Sequence, residues 1–327
     1  MKPDGLLTWL AVPSPSGYEN ALMERVVAHA RGLGLPVERD ALGNAWVRVG
    51  PEEAPISLLL VAPLDEPGLV VSHVDEEGLA RVTPLRVETR PHGRVPARVR
   101  SVQGATGALR WKPTADPANG WEGVYLEAWQ GAFRVGDVLA WDTPPAGHED
   151  AGLLVGRGLH RALAWMMLEV LARFSPKKVR VYGLLAVREG VPTHGAALAA
   201  WRLAPQAALM LRTFPAREPE APAEHPRLGG GPVLLLREPG WVAHPAWVQV
   251  LQATAPEDHQ AVVLPQGPRG GHPLPWVQAG LPTAALGLAC RGQDTPFEAL
   301  VLEDGRRLQA WLEAVLARID ADFPFST

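Results

Sequence analysis

Residues 56–62, with the sequence ISLLLVA, are apolar on both faces of a predicted strand. Such a strand must be covered on both sides, as in the centre of a parallel sheet. From about residue 160 onward, helical and strand patterns alternate along the chain. Together these features predict a three-layer α/β fold with a mostly parallel central sheet.

Ligand sites in such sheets gather at the carboxyl ends of the strands. The predicted strand ends are residues 62–66, 187–190, 211–214 and 290–294. Asp65, Glu66 and Glu189 are the carboxylates of interest there. Asp65 and Glu66 are interpreted as acid/base or ligand-orienting groups, or else as solvated loop charges. Glu189 is interpreted as a general base or as the group that neutralises Arg188.

Residues 69–142 have a different sequence pattern, in which short stretches of alternating apolar and polar residues are separated by Gly, Pro and Asp turns. This pattern predicts a small β-barrel or sandwich inserted into the larger domain. We therefore expect an inserted β-barrel domain at 71–147 and a discontinuous α/β domain at 1–70 and 148–327. The segment PPAGHEDAG, residues 144–152, is predicted to be the linker that returns to the α/β domain.

The composition excludes several classes of protein. The chain has 327 residues, a net charge of −4 and an isoelectric point near 6.2, so no nucleic-acid backbone or anionic membrane is an expected partner. One cysteine excludes a disulfide framework and a multi-cysteine metal site. No run approaches the ~20 apolar residues of a membrane span, and we expect a cytoplasmic protein.

Two compositional biases favour a thermophilic source. Only four of the 31 basic residues are lysine, asparagine occurs three times, and there are 33 prolines. Few thermolabile amides and proline-rich loops are typical of thermophiles, although a GC-rich genome gives the same arginine and proline bias.

The common catalytic motifs are absent from the sequence. It contains no P-loop, no Gly-x-Ser-x-Gly elbow, no HExxH pair and no CxxC pair. LGGGP, residues 228–232, precedes a strand pattern and is interpreted as a tight turn. His160, His194 and His272 are interpreted as caps or packed residues before they are considered as ligands. Cys290 is predicted to be a small buried hydrophobic residue.

Several segments, in order, resemble the dinuclear-zinc glutamyl/deblocking aminopeptidases of the tetrahedral (TET) type, metallopeptidase family forty-two. They are SPSGYEN, RDALGNAWV, LLLVAPLDEPGLVV, GRGLHRALA, VREGVPTHGAALAA, GLPTAAL and CRGQDTPFE. The resemblance spans nearly the whole chain, and it implies the family's inserted barrel domain and a homo-oligomer. It also implies two divalent metals that activate a bridging water.

The positions that resemble the family's metal ligands carry other residues in this chain. The ligand positions are occupied by Pro63, His160, Gly190, Arg212 and Asp294. Pro63 and Gly190 offer no donor side chain, and Arg212 is a cation where a metal would lie. We interpret this set as a degenerate metal site that holds no cofactor.

Two catalytic positions of the family are retained. The resemblance assigns Asp65 as the residue that orients a ligand and Glu189 as the general base. Without an activated water, both are vestigial. The sequence therefore predicts a catalytically inactive pseudo-peptidase with a binding or assembly role, whose partners are peptides, copies of itself or an active paralogue.

Two other functions stay open. The first is an active metallo-aminopeptidase that binds zinc or cobalt through an unusual set, namely His160, Asp65, Glu189, Asp294 and His272. The second is a metal-free hydrolase that uses Cys290 or a Ser/His pair, which no spacing supports. We also expect Arg212 to pair with the carboxylates of the degenerate site and to supply the missing positive charge.

Overall fold

The computed structural model describes residues 3–85, 97–111, 121–148, 150–191, 195–218, 223–265 and 280–325. Within these ranges the helices are α1 (Pro3–Leu10), α2 (Asn20–Gly32), α3 (Arg161–Arg173), α4 (Gly195–Leu203), α5 (Pro245–Ala253) and α6 (Leu302–Ala321). The strands are β1 (Val37–Arg39), β2 (Ala45–Val49), β3 (Ile56–Pro63), β4 (Leu69–Val74), β5 (Ala80–Pro84), β6 (Ala97–Ser101), β7 (Thr106–Trp111), β8 (Val124–Gln130), β9 (Val138–Trp141), β10 (Ala146–His148), β11 (Leu153–Gly156), β12 (Val179–Ala186), β13 (Ala207–Pro215), β14 (Val233–Glu238), β15 (Trp241–Val242), β16 (Gln260–Val263), β17 (Thr283–Cys290) and β18 (Glu298–Val301).

The apolar strand β3 lies in the middle of the central sheet. The sheet order is β1-β2-β12-β3-β13-β17-β14-β15, with β16 beside β14. Strand β3 is parallel to β12 and β13, and β13 is parallel to β17. Leu58 and Leu60 belong to one hydrophobic cluster and Leu59 and Val61 to another, because successive side chains point to opposite faces of a strand. The predicted α/β fold with a mostly parallel sheet is confirmed.

Helices cover both faces of this sheet. Helix α3 contributes a mostly buried face, including Met167 and Leu171, to the larger cluster. Helix α4 packs small residues, among them Ala196 and Ala199, against the smaller cluster on the opposite face. The small side chains let α4 approach the sheet closely.

The inserted segment closes into a barrel in the order β4-β5-β8-β7-β6-β9. Its interior is filled by alternate residues of these strands, including Val71, Val99, Leu126 and Trp141. The small barrel predicted from the alternating stretches is thus confirmed as an insert, whereas the exact boundaries 71–147 stay a prediction.

The chain enters the barrel through Gly68, between the central sheet and β4. A Cβ atom at this position would lie 2.7 Å from Cβ of Pro15 and 2.9 Å from the carbonyl oxygen of Leu139. Only glycine allows three segments, from the N-terminus, the barrel and the sheet, to meet so closely.

A second, three-stranded sheet was not predicted. It consists of β10, β11 and β18, all paired antiparallel. Strand β10 lies within the segment predicted to be only a linker, and that interpretation is corrected here. These strands have three or four residues each and little apolar alternation, so the sequence carries a weak signal for them.

None of the helices in the described ranges is long and apolar enough to cross a membrane.

We predict opposite effects for two glycine substitutions. A Cβ at Gly287 of β17 would overlap the carbonyl oxygen of Arg212, whereas Gly32 at the end of α2 has no atom within 4 Å of an added Cβ. Gly287→Ala should therefore lower the free energy of unfolding by about 1–3 kcal/mol or more. Gly32→Ala should leave it unchanged or raise it by about 0.4–1 kcal/mol. Denaturant titration measures both, and equal effects would contradict the close approach of β17 to β13.

Candidate functional site

The carboxyl ends of β3, β12, β13 and β17 lie along one edge of the sheet, as predicted. Strand β3 ends at Pro63, whose ring offers no donor atom, and the backbone N–H of Leu64 still donates to the carbonyl of Ala186 on β12. The chain then leaves the sheet, and the next two residues are the buried carboxylates Asp65 and Glu66. This edge forms the candidate site.

Asp65 binds the loop that follows β12. Its Oδ1 accepts the backbone N–H of Glu189 at 3.0 Å, and its Oδ2 accepts the N–H of Gly190 at 2.7 Å. The hydroxyl of Ser16 also donates to Oδ2. Since Asp65 is only 3% exposed, these protein groups satisfy both oxygens of its carboxylate.

The same loop is bound by a second carboxylate, Glu19, which sequence reasoning missed. Arg188 adopts a positive φ of 59°, and its N–H donates to Oε1 of Glu19 at 2.9 Å. Three successive N–H groups, those of residues 188–190, therefore point at carboxylates, an arrangement that favours bound anions. Burial, and then the charge of Asp65, raise the pKa of Glu19. In the sequence, Glu19 looks only like part of a helix start.

The side chain of Glu189 is directed at helix α4. Its Oε1 accepts the N–H of Ala196 at 2.7 Å, in the first turn of that helix. The first N–H groups of a helix have no partner within it, so this contact stabilises the helix start. Neither of the two roles considered for Glu189, general base or partner of Arg188, anticipated this contact.

Glu66 lies at the centre of a buried cluster with two arginines. Arg157 donates to both carboxylate oxygens of Glu66, and Arg161 lies 3.5 Å from Oε2. The N–H of Ser14 donates to Oε1 at 2.8 Å. Burial alone would raise the pKa of Glu66, but the two guanidinium groups and the N–H outweigh it and hold the pKa below its usual value. Glu66 is thus an ionised structural residue.

Arg161 connects the start of α3 to the N-terminal segment. It is fully buried, and its guanidinium donates to Val12, Leu10, Gly158 and Arg157 carbonyls and to Ser14. Burial lowers its pKa to about 10, which leaves it charged at neutral pH. Neither arginine was a predicted site residue, because their partners lie far away in the sequence.

Glu298, at the start of β18, joins the segment before α3 to the loop after β17. Its Oε2 accepts the N–H of Leu159 at 2.6 Å, and its Oε1 accepts the N–H of Asp294 at 2.8 Å. His160 and Asp294 therefore lie in neighbouring segments of the site. Burial, and then the charge of Asp294, raise the pKa of Glu298 to about 8. The carboxyl of Glu298 is consequently protonated in most molecules at neutral pH.

Cys290 is buried at the end of β17, as predicted. Burial, followed by the charges of Glu298 and Asp294, raises the pKa of its thiol well above the usual value. A protonated, buried thiol is a poor nucleophile.

Arg212 forms an ion pair with a carboxylate that sequence analysis did not consider. Its Nη1 lies 2.8 Å from Oε1 of Glu238 on β14, and its guanidinium lies over the ring of Phe214 at 5.2 Å. The expectation that Arg212 pairs with Asp65, Glu189 or Asp294 is therefore corrected. The partner differs because β14 is brought next to this edge through β17, a neighbour relation that periodicity does not reveal.

Within the described part of the chain, no group of three or more His, Cys, Asp or Glu side chains could hold a metal ion. His194 and His272, two of the histidines that sequence analysis considered, lie outside the described residues.

Asp65→Asn should loosen the loop after β12. An amide has one acceptor oxygen, so one N–H of Glu189 or Gly190 would face an NH₂ group and lose its partner. We expect a loss of about 1–3 kcal/mol in unfolding free energy and faster hydrogen exchange at both amides.

The matched control for this variant is Asp75→Asn. Asp75 also accepts two backbone N–H groups, but it does so in an exposed barrel turn. Unchanged exchange at residues 189 and 190 in Asp65→Asn would contradict the contacts described above.

Glu66→Gln should be strongly destabilising, because it leaves two buried guanidinium groups without a counter-charge. The expected loss is about 3–5 kcal/mol. Glu24→Gln is the control, since Glu24 forms an exposed ion pair with Arg39 and its loss should cost below about 1 kcal/mol. Chemical denaturation of both variants measures the difference, and similar losses would argue against a buried charge cluster.

The comparisons with known proteins agree with this architecture. The profile of the M42 glutamyl aminopeptidase family matches residues 126–310. The glutamyl aminopeptidase of Lactococcus lactis is 22% identical over 338 residues, covering 95% of this chain and 94% of that protein. The TET aminopeptidase structure from a marine sediment Thaumarchaeota archaeon has a TM-score of 0.86 at 19% identity, covering 99% of this chain and 98% of its own. The TET1 peptidase structure from Pyrococcus horikoshii has a TM-score of 0.78 at 19% identity, covering 96% of this chain and 98% of its own. Because the family profile matches more than half of the chain, this protein belongs to the M42 glutamyl aminopeptidase family.

Proposed function

We propose that this chain is an M42 homologue without the dinuclear metal centre of its family, and that it acts as a binding or assembly protein instead of a peptidase. The observation that carries the proposal is the saturation of Asp65. The resemblance assigns Asp65 to the orientation of a metal ligand, yet both of its oxygens bind loop N–H groups and Ser16. One of those N–H groups belongs to Gly190, the position at which the family has a ligand glutamate.

The side chains at the other ligand positions do not fit two divalent ions. Pro63 and Gly190 supply no donor, and Arg212 is a cation already paired with Glu238. A zinc site needs three or four donors at close range, and a cation at one of those positions opposes metal binding. His160 and Asp294 are the remaining positions that carry a donor side chain.

The charge balance of the site supports the same proposal. The carboxylate of Glu66 is neutralised by Arg157 and Arg161, and that of Glu238 by Arg212. These ion pairs lie wholly within the chain, so neither Glu66 nor Glu238 needs a metal cation as its counter-charge.

Self-assembly is the second part of the proposal. The related TET1 peptidase of Pyrococcus horikoshii can assemble into a tetrahedron or a large octahedral shell. A chain that keeps this fold along nearly its whole length retains the scaffold for homo-oligomers or for mixed assembly with an active paralogue. Light scattering of the purified protein gives the mass of the particle directly.

Metal analysis is the decisive experiment. Protein purified without a metal-affinity tag should contain less than about 0.1 ion per chain, before and after incubation with zinc or cobalt and desalting. One or two retained ions per chain would overturn the proposal and favour a metallo-aminopeptidase with His160 and Asp294 as ligands.

An assay of aminopeptidase activity is the second test of the proposal. We expect no hydrolysis of an N-terminal glutamate from a chromogenic substrate, with or without added metal. Glu189→Gln is the matched control, because a contaminating peptidase would be unaffected by it. Activity that is abolished both by Glu189→Gln and by chelation would show that the site is catalytic.

A further inference from the structure

A cavity of about 510 Å³ lies at the margin of the central sheet, and none of its described lining residues belongs to the candidate site. Its floor is the edge strand β16, and its walls carry Arg217, Glu224, His225 and Arg227. This volume falls within the range of sites that bind small molecules or short peptide segments.

Strand β16 uses only one of its two edges. The N–H of Gln260 donates to Pro232, and the N–H of Leu264 donates to Arg237, both on the side of β14. Because the direction of backbone groups alternates along a strand, the N–H and C=O groups of Ala261 and Val263 point to the other side. They make no hydrogen bond with the described part of the chain. Ala261 is exposed and Val263 is 44% exposed.

Apart from its shortness, since β16 has four residues, this edge carries few of the usual guards against pairing among the described residues. Proteins commonly guard an edge with a charged side chain, a proline within the strand or a bulge directed outward. The strand residues Gln260, Ala261, Val262 and Val263 include neither a charge nor a proline. An edge of this kind can accept an extended segment as an additional strand.

The charged side chains that line the cavity indicate which charge a bound peptide segment should carry. Neither Arg217 nor Arg227 has an ion-pair partner among the residues that the structure describes, whereas Glu224 is the single acidic residue that lines the described cavity. Gln260 holds the backbone of Arg227 against the strand through two hydrogen bonds, which fixes the base of that side chain. Among the described lining residues the two arginines outnumber the one carboxylate, a balance that favours carboxylates on a ligand.

We propose that the edge of β16 binds an extended peptide as an added strand, with acidic side chains of the peptide held by Arg217 and Arg227. Backbone hydrogen bonds to Ala261 and Val263 supply affinity without regard to sequence, and the two arginines select for carboxylates. The site is separate from the metal positions, so this inference does not rest on the proposed loss of the metal centre.

Fluorescence anisotropy with two labelled peptides tests the proposal. One peptide alternates valine and glutamate, and the other alternates valine and lysine. We expect the acidic peptide to bind at least about tenfold more tightly than the basic one. Arg227→Glu should weaken the acidic peptide by roughly tenfold or more, whereas the same charge change at Arg306 on α6, which is exposed, should not.

The variant Ala261→Pro tests whether the peptide binds as an added strand along β16. Proline removes the outward N–H of residue 261 but leaves the hydrogen bonds between β16 and β14 in place. This variant should lose binding while its melting temperature stays close to that of the parent. Val263→Pro, which removes the other outward N–H, is the second variant should Ala261→Pro fail to fold.

Three binding results would overturn the proposal. They are the absence of binding of both peptides, equal binding of both, and binding that survives both Ala261→Pro and Val263→Pro. A change of particle mass caused by either edge variant would identify the occupant of the edge as a second copy of the chain and would also overturn it.

Discussion

The carboxylate of Asp65 holds together the segments that form the edge of the sheet. It lies two residues beyond the end of β3, and it binds the N-terminal segment through Ser16 and the loop after β12 through two backbone N–H groups. Glu19 binds the N–H of Arg188 in the same loop from the other side. The path of that loop, and with it the start of α4, is therefore set by two carboxylates that are buried among protein donors.

Around this contact several buried charges are paired within the chain. Arg157 and Arg161 both lie beside the carboxylate of Glu66, and Arg212 pairs with Glu238. Where a carboxylate lacks sufficient positive charge nearby, burial raises its pKa, as it does for Glu298. The paired carboxylates need no metal cation as a counter-charge, which supports our proposal of a metal-free site.

The sequence predicts much of the fold because the relevant signals are local. Strand β3 is apolar on both faces, and the strands end where the apolar runs stop. The barrel is predicted by short stretches of alternating apolar and polar residues that are separated by turn residues. The contacts of the site are harder to predict from the sequence, because they join residues far apart along the chain. Ser14 and Glu66, Arg157 and Glu66, and Arg212 and Glu238 meet only through the tertiary fold. The roles of Glu19 and Glu298 were missed for the same reason, and the short strands β10, β11 and β18 lack periodicity long enough to detect.

The position of the barrel on the chain has a mechanical consequence. The polypeptide passes from Asp65 to the first barrel strand within four residues, and Gly68 is wedged there between Pro15 and Leu139. The backbone N–H of Glu66 donates to Ser14 in the same junction, next to the buried arginines. A displacement of the barrel relative to the α/β domain would act on this short tether, which adjoins the arginine cluster. The cluster therefore anchors the entry side of the insert to the α/β domain.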